Sequence, residues 1–293
     1  MSDLTIPPAI VITGASTGIG AACALYLADH GFRVFAGIRD HQAGEVLAKG
    51  RTGRVIPIHL DVTEERSIRE ATDRVTQQLG EGGLVGLINN AGIAVGSPLE
   101  VIPIDQLRRQ FEVNVFGQIA VTQAFLPLLR KGRGRIINMG SIAGRATIPL
   151  MGPYSASKFA LEALTDALRL ELQPWGMQVS VIEPGAIATP IWEKSIKAAS
   201  SLESTAGSAA TTRYAAMVKC VKEAVGRAAE RAIPPDAVVQ AVVHALTAPR
   251  PRTRYLVGAD AKIRAWMMKW LPDRLNDRLL TWILKLPREG SGT

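Results

Sequence analysis

Cysteine is nearly absent: Cys23 and Cys220 are the only two in 293 residues. That excludes a disulfide framework and leaves no metal-ligand spacing, so no metal site is expected. Both lie in stretches of helical pattern and read as buried thiols. No uncharged apolar run approaches the ~18 residues of a membrane span. The start, MSDLTIPP, lacks a basic region followed by an apolar one, so no signal peptide is expected and the cytoplasm is the expected compartment. Acidic residues are scarce towards the end. Between Arg250 and Thr293, ten Lys/Arg face four Asp/Glu, which places most of the net charge of +8 in the tail. No nucleic-acid motif accompanies that charge, so nucleic acid is not an expected partner.

What is present is core material. Hydrophobic residues make up 47% and charged residues 20%, a balance that excludes a disordered chain. Apolar, β-branched runs recur at 9–13, 33–37, 54–60, 84–89, 135–139, 178–183 and 254–258. Between them lie helical patterns at 19–30, 64–79, 105–129, 155–173, 214–231 and 234–246, with Thr63 placed to cap the second. Alternation of strand and helix predicts an α/β fold: a doubly wound parallel sheet with helices on both faces. No internal repeat or linker interrupts it up to residue 190.

The stretch VITGASTGIG (11–20) follows the first apolar run and opens a helix. Strand, glycine-rich turn and helix make up a phosphate cradle, because helix N-termini present free N–H groups and bare backbone lets a pyrophosphate approach. A tight turn carries glycines without any ligand too, and the G-x-x-x-G-x-G spacing differs from the common dinucleotide fingerprint. Further along, YSASK places Tyr154 and Lys158 four apart, on one helical face. Ser141 stands 13 residues before Tyr154, at the mouth of the RIINM run. INNAG (88–92) ends another strand, Asn114 interrupts an apolar helix, and EPGAIATP (183–190) follows the sixth strand. Taken singly, each has an ordinary reading as a core tyrosine, a solvated lysine, a turn cap or a backbone-satisfying asparagine.

In combination, TGxxxGIG, NNAG, Asn114, Ser141, Tyr154-x-x-x-Lys158 and PG resemble the short-chain dehydrogenase/reductase family. The resemblance runs in register over residues 8 to 190 and loosely to about 258. It implies a single Rossmann-type domain over 1–258, a nicotinamide cofactor, and hydride exchange with an alcohol or carbonyl. Carried over residue by residue, it implies Tyr154 as general acid/base and Lys158 as the ammonium that lowers the phenol's pKa from its free value near ~10. Ser141 would hold the substrate oxygen, and Asn114 would shape a water-linked proton path to the lysine. It further implies cofactor contacts from Gly14, Ser16, Thr17, Gly18, Ile19 and Gly20 in the turn, and from Asp61 and Val62 beside the adenine. Asn90, Ala91 and Gly92 follow the fourth strand; Pro184, Gly185, Ile187 and Thr189 follow the sixth, with Thr189 at the nicotinamide carboxamide; Tyr154 and Lys158 complete the set. The acid that selects NAD would fall at Ile38 and is absent. Arg39 follows at once, suited to a 2′-phosphate, unless Asp40 pairs with it. NADP(H) is favoured and NAD(H) is the alternative.

Residues 191–231 read as the substrate lid, with Ile191, Trp192, Tyr214, Met217 and Val218 on it, and the small, polar run 197–213 reads as a mobile active-site loop. Few charges near its start favour an apolar substrate. FRVFAGIRD and the extended C-terminus resemble the retinol/hydroxysteroid dehydrogenase branch, which implies a steroid- or retinoid-like carbonyl or alcohol. A 3-ketoacyl thioester reductase is the alternative; a cofactor-sensing scaffold would be expected to have lost Tyr154 or Lys158. The family implies a homodimer or homotetramer. In the extension 259–293, residues 262–288 place apolar and basic side chains at helical spacing, broken at Pro272. They suit a helix pair packed on the body or a partner subunit, or peripheral contact with a membrane.

Overall fold

A computed structural model of the chain describes residues 7–191 and 208–287. Trp192, and the part of the predicted loop from 197 to 207, lie outside the described residues, as do the first six residues and those from 288 on. Seven strands form one parallel sheet: β1 (Ala9–Ile12), β2 (Arg33–Ile38), β3 (Val55–His59), β4 (Leu84–Asn89), β5 (Arg135–Met139), β6 (Gln178–Pro184) and β7 (Arg254–Val257). Their spatial order is β3-β2-β1-β4-β5-β6-β7, so the winding reverses between β1 and β4, and the carboxyl ends of those strands open the crevice in which such sheets bind ligands.

The strand runs are apolar throughout because each strand is covered on both faces. In β1 all four residues are buried, and successive side chains go to opposite layers. Ile10 and Ile12 pack with Leu27 of α1 (Gly18–Asp29) and Val242 of α8 (Asp236–Thr247). Val11 packs on the other side with Phe35, Leu87, Val75 of α3 (Glu65–Leu79) and Phe125 of α5 (Gly117–Lys131).

The structure departs from the sequence reading in local detail. A short helix, α2 (His41–Ala48), follows β2, and Asp40 caps it by accepting from the Gln42 N–H at 3.0 Å rather than pairing with Arg39. Thr63 does not cap α3: its N–H and hydroxyl both turn back to Asp61 Oδ1, at 2.9 and 2.7 Å. The helical pattern 105–129 is three pieces, α4 (Ile104–Phe111), a π-helical turn (Glu112–Phe116) and α5. The remaining helices are α6 (Gly152–Glu171), α7 (Ser208–Glu230), α9 (Ala259–Trp270) and α10 (Asp273–Leu284). Pro272 separates the last two, as the sequence predicts. Of the two cysteines, Cys23 is buried in the core, its thiol pushed up to about 12 by that burial. Cys220 is only half-buried, because its Sγ faces outward from α7 to the Lys285 carbonyl at 3.1 Å.

Candidate active site

The glycine turn lies at the carboxyl end of β1, where the sheet reverses. Gly14 and Gly18 have φ of +63° and +60°, the left-handed region that glycine enters without strain. A Cβ on Gly14 would stand 2.8 Å from Ala91 Cα, and one on Gly20 would fall 2.4 Å from the Gly14 carbonyl oxygen. Glycine is therefore required by space as well as by conformation. Thr17 caps α1 in extended geometry with no side-chain hydrogen bond, and no acidic residue occupies the first turn. The helix N-terminus, flanked by half-buried Ser16 and Ile19, keeps its N–H groups and positive dipole end for an anion.

The segment after β4 is tied to that turn. The Thr13 hydroxyl accepts from the N–H groups of Asn90 and Ala91, both at 2.9 Å. Asn90 Nδ2 donates to the carbonyls of Thr13 and Gly14, both at 3.0 Å. Gln118, which the sequence reading missed, fixes the Ala91 carbonyl from α5 at 3.1 Å. At the end of β2, Arg39 is 70% exposed and its guanidinium lies 3.7 Å from Asp61. Burial pushes the Asp61 carboxyl up, but the Thr63 N–H and hydroxyl and the Arg39 charge hold it below its ordinary value. Val62 is buried beside it, against Gly117. On the opposite wall, Pro184 ends β6 and Ile187 is buried. Thr189 comes within 3.3 Å of where a Gly18 Cβ would be. The backbone between them is pinned by Asp260 of α9, whose Oδ2 accepts from the Ala186 N–H at 2.7 Å and whose carboxylate fills the space beside Gly185. Nothing local in the sequence marks Asp260, because its partner lies 74 positions away.

Asn114, Ser141, Tyr154 and Lys158 come together from three elements. The π-turn sets Asn114 towards the segment after β4: Oδ1 accepts from the Ile93 N–H at 2.9 Å, and Nδ2 lies 3.0 Å from the Ile93 carbonyl and 3.1 Å from Ser157 Oγ. Such turns place one extra residue in a helix and concentrate at functional sites. Gly92 stands beside the same amide, 3.4 Å from Asn114 Oδ1 to the position of its Cβ. Gln110 holds the next stretch, donating to the Ile93 carbonyl at 2.9 Å and accepting from the Val95 N–H at 2.7 Å. Ser141 begins a 3₁₀ turn (Ile142–Gly144), its hydroxyl accepting from the Ala143 N–H at 3.1 Å. The same side chain stands close enough to the Tyr154 phenol to favour its ionised form.

Lys158 is buried, one helical turn past Tyr154 on α6. Its Nζ donates to the Met139 carbonyl at 2.7 Å and stands 5.7 Å from the centre of the Tyr154 ring. Burial lowers the Lys158 ammonium to about 8, with the charge of Glu162 opposing. The Tyr154 phenol moves upward, not downward as the pairing with Lys158 alone predicts, because burial outweighs the opposing effect of Ser141. The cluster joins a hydroxyl, a phenol and an ammonium, a set able to hold an oxygen and to give or take a proton there.

Of the residues read as lid, Ile191, Met217 and Val218 are half-buried. The Tyr214 hydroxyl donates to Glu100 Oε2 at 2.7 Å, and Arg213 pairs with the other oxygen of the same carboxylate. The N-terminal part of α7 is thus moored to the loop after β4.

A glycine turn at a helix N-terminus beside a hydroxyl, a phenol and an ammonium, on a doubly wound sheet, is an arrangement suited to an oxidoreductase. Residues 8–200 match the short chain dehydrogenase family, and the chain belongs to it. Retinol dehydrogenase 5 of Mus musculus is 36% identical over 293 residues, covering 96% of this chain and 90% of that protein. The NADPH-dependent 3-dehydrocapnine reductase of Ornithobacterium rhinotracheale is 35% identical over 281 residues, covering 94% and 96%. Among solved structures, a short chain dehydrogenase from Burkholderia cenocepacia J2315 in complex with NADP superposes with a TM-score of 0.72 at 28% identity, covering 94% of this chain and 98% of that one.

Proposed function

We propose that the protein is an NADP(H)-dependent oxidoreductase that interconverts an alcohol, secondary on a steroid-like or primary on a retinoid-like apolar substrate, and its carbonyl. The observation that carries this reading is the convergence of Ser141, Tyr154 and Lys158 beside the glycine turn. The turn fits a dinucleotide: two left-handed glycines, a third with no room for a Cβ, and an uncapped helix N-terminus. Gly14, Ser16, Thr17, Gly18, Ile19 and Gly20 would hold its pyrophosphate. Arg39 would meet the 2′-phosphate, Asp61 and Val62 the adenine, Asn90, Ala91 and Gly92 the cleft floor, and Pro184, Gly185, Ile187 and Thr189 the nicotinamide end. When bound, the cofactor supplies or accepts the hydride.

The chain's own groups do the rest. Ser141 holds the substrate oxygen against the Tyr154 hydroxyl, and Tyr154 gives that oxygen a proton in reduction or removes it in oxidation. The Lys158 ammonium, fixed by the Met139 carbonyl, would favour the phenolate form, against the burial that raises the Tyr154 phenol. Asn114 keeps the Ile93 peptide and Ser157 in place beside α6, where a water chain would reach the lysine. NADPH preference is supported by the absence of an acid at Ile38, by exposed Arg39, and by the NADPH-dependent relative. Purified protein assayed with NADPH against all-trans-retinal and a panel of steroid ketones should consume cofactor. Tyr154→Phe should lose roughly a hundredfold or more in kcat/KM, in line with general acid–base contributions. Undiminished turnover in that variant would refute the assignment.

We also propose that α9 and α10 lay the molecule on a membrane. Ile263, Trp266 and Trp270 form one exposed stripe on α9, with Lys262 and Lys269 on its flank. Leu275 and Trp282 repeat the pattern on α10 beside Arg274 and Arg278. The two helices are anchored to the body through buried Ala261, Met267, Asn276 and Leu284, and by Arg264 donating to the Thr147 carbonyl at 2.9 Å. Indoles with adjacent cations suit the headgroup region of a bilayer. Among the described residues no helix is long and apolar enough to cross one.

A further inference from the structure

Behind the cluster lies a buried ionic group that the proposed chemistry leaves idle. Glu162 follows Lys158 by one turn of α6, and Glu183 is the penultimate residue of β6; both are buried. Both carboxyls approach the Nε of Arg254, at 3.2 and 3.6 Å, and Glu162 Oε1 and Glu183 Oε2 are buried with no hydrogen-bond partner. Like charges so placed disfavour each other, which pushes Glu162 towards its protonated form. The surrounding charges come from every neighbouring element. Arg145, after the 3₁₀ turn, donates to Glu183 Oε1 at 2.8 Å. Arg254 of β7 reaches Glu162 Oε2 at 3.2 Å and Glu183 Oε1 at 3.6 Å. It is drawn away by Asp166 of α6 at 2.5 Å, a carboxylate that Arg169 also contacts. Three guanidiniums thus meet three acids, but burial and the like charge of Glu183 outweigh them at Glu162, which is held towards its protonated form.

Glu162 also lies directly under the active-site backbone. A Cβ on Gly140 would come within 3.1 Å of Glu162 Oε1, and one on Gly144 within 3.1 Å of Glu162 Cγ. Between those glycines runs the segment with Ser141, and just before it stands the Met139 carbonyl that accepts from Lys158.

We propose that Glu162 is a positioning residue for Lys158, and that the proton it holds beside Glu183 sets how much negative charge the ammonium feels from behind. This rests on the reading of Lys158 as the partner of Tyr154. Around neutrality Glu162 holds its proton and Lys158 is poorly balanced. As it loses that proton, Glu162 becomes the counter-ion that keeps Lys158 charged. Glu162 itself is pushed up to about 8 by burial and by Glu183, against the pull of Arg254 and Arg145. Burial pushes the Glu162 carboxyl up and the Lys158 ammonium down, so the two ionisations approach one another.

The two carboxyls can be removed with opposite consequences. Glu162→Gln deletes the counter-ion, so Lys158 should lose its proton at lower pH. Glu183→Gln gives Glu162 an amide donor and removes the like charge, so Glu162 should stay ionised and Lys158 should titrate at higher pH. The measurement is a 13C-NMR titration of protein labelled at the lysine ε-carbon, with the Lys158 signal assigned by its loss in Lys158→Met. Midpoints should move by about one pH unit in each direction, and the alkaline limb of kcat/KM for carbonyl reduction should follow. Midpoints that stay put, or move the same way, overturn the proposal, as does a uniform loss of rate with an unmoved limb. If Glu162→Gln does not fold, the alkaline movement in Glu183→Gln decides alone. The titration needs no substrate, so a silent Tyr154→Phe comparison would sink the enzymatic reading and leave this one standing or falling separately.

Discussion

At the scale of single residues, cofactor choice rests on one guanidinium. Arg39 contacts Asp61 at 3.7 Å with its side chain largely in solvent, a pairing worth little to stability and easily exchanged for a phosphate. Arg39→Ala should therefore weaken use of NADPH, by about 1.5–3 kcal/mol for a charge-assisted contact. That corresponds to roughly a tenfold to hundredfold loss in kcat/KM, with NADH nearly unaffected. Steady-state kinetics with both cofactors checks it; parallel losses would remove Arg39 from the 2′-phosphate. Arg39 was legible because the strand end and the following position are local in sequence. The alternative partner, Asp40, was not excluded until its carboxylate was seen capping α2. Glu162 and Glu183 were illegible for the opposite reason. A carboxylate in a sequence reads as solvated, and what buries these two lies on β7, 92 positions from Glu162, and after the 3₁₀ turn, 38 positions from Glu183.

At the scale of elements, glycine has two different meanings in two helices, and the same substitution should act with opposite signs. Gly20 in α1 has the Gly14 carbonyl and Asn90 Nδ2 at 2.4 and 2.5 Å from the place a Cβ would take. Gly20→Ala should cost about 1–3 kcal/mol from forced backbone movement and lower NADPH affinity, because the displaced carbonyl belongs to the cradle. Gly226 in α7 has open space around its Cβ position. Gly226→Ala should instead stabilise by about 0.5–1 kcal/mol, the helix propensity difference. Urea unfolding of both variants, with and without NADPH, tests the contrast. The strands were readable because burial on both faces leaves continuous apolar runs. The π-turn was not, since one extra residue in 105–129 leaves the apolar pattern nearly intact. Nor was α2, whose eight residues HQAGEVLA include a glycine and carry too few apolar positions to show a period.

At the scale of the whole molecule, the question is which way the protein faces a membrane. Lys262, Lys269, Arg274 and Arg278 lie beside the exposed indoles on the same two helices, while the cradle lies at the carboxyl ends of β1 and β4. Trp266, Trp270 and Trp282 are 59%, 62% and 74% exposed, so replacing them removes little packing within the protein. Each side chain is worth about 1.5–3 kcal/mol if fully buried in lipid. A triple Trp266→Ala, Trp270→Ala, Trp282→Ala variant should consequently lose tenfold or more in vesicle affinity while keeping its thermal midpoint and its NADPH turnover of a soluble ketone. The cations beside the stripes add a term that salt screens over about 10 Å at 0.1 M. Flotation should then favour vesicles containing phosphatidylserine over pure phosphatidylcholine, and the difference should shrink as sodium chloride is raised. Truncation at residue 260 is a poorer test, because it also strips buried Ala261 and Met267 from the body. Equal flotation of the triple variant and the parent on phosphatidylserine vesicles would show that the exposed faces of α9 and α10 do not meet lipid, and would leave a second protein surface as what covers them.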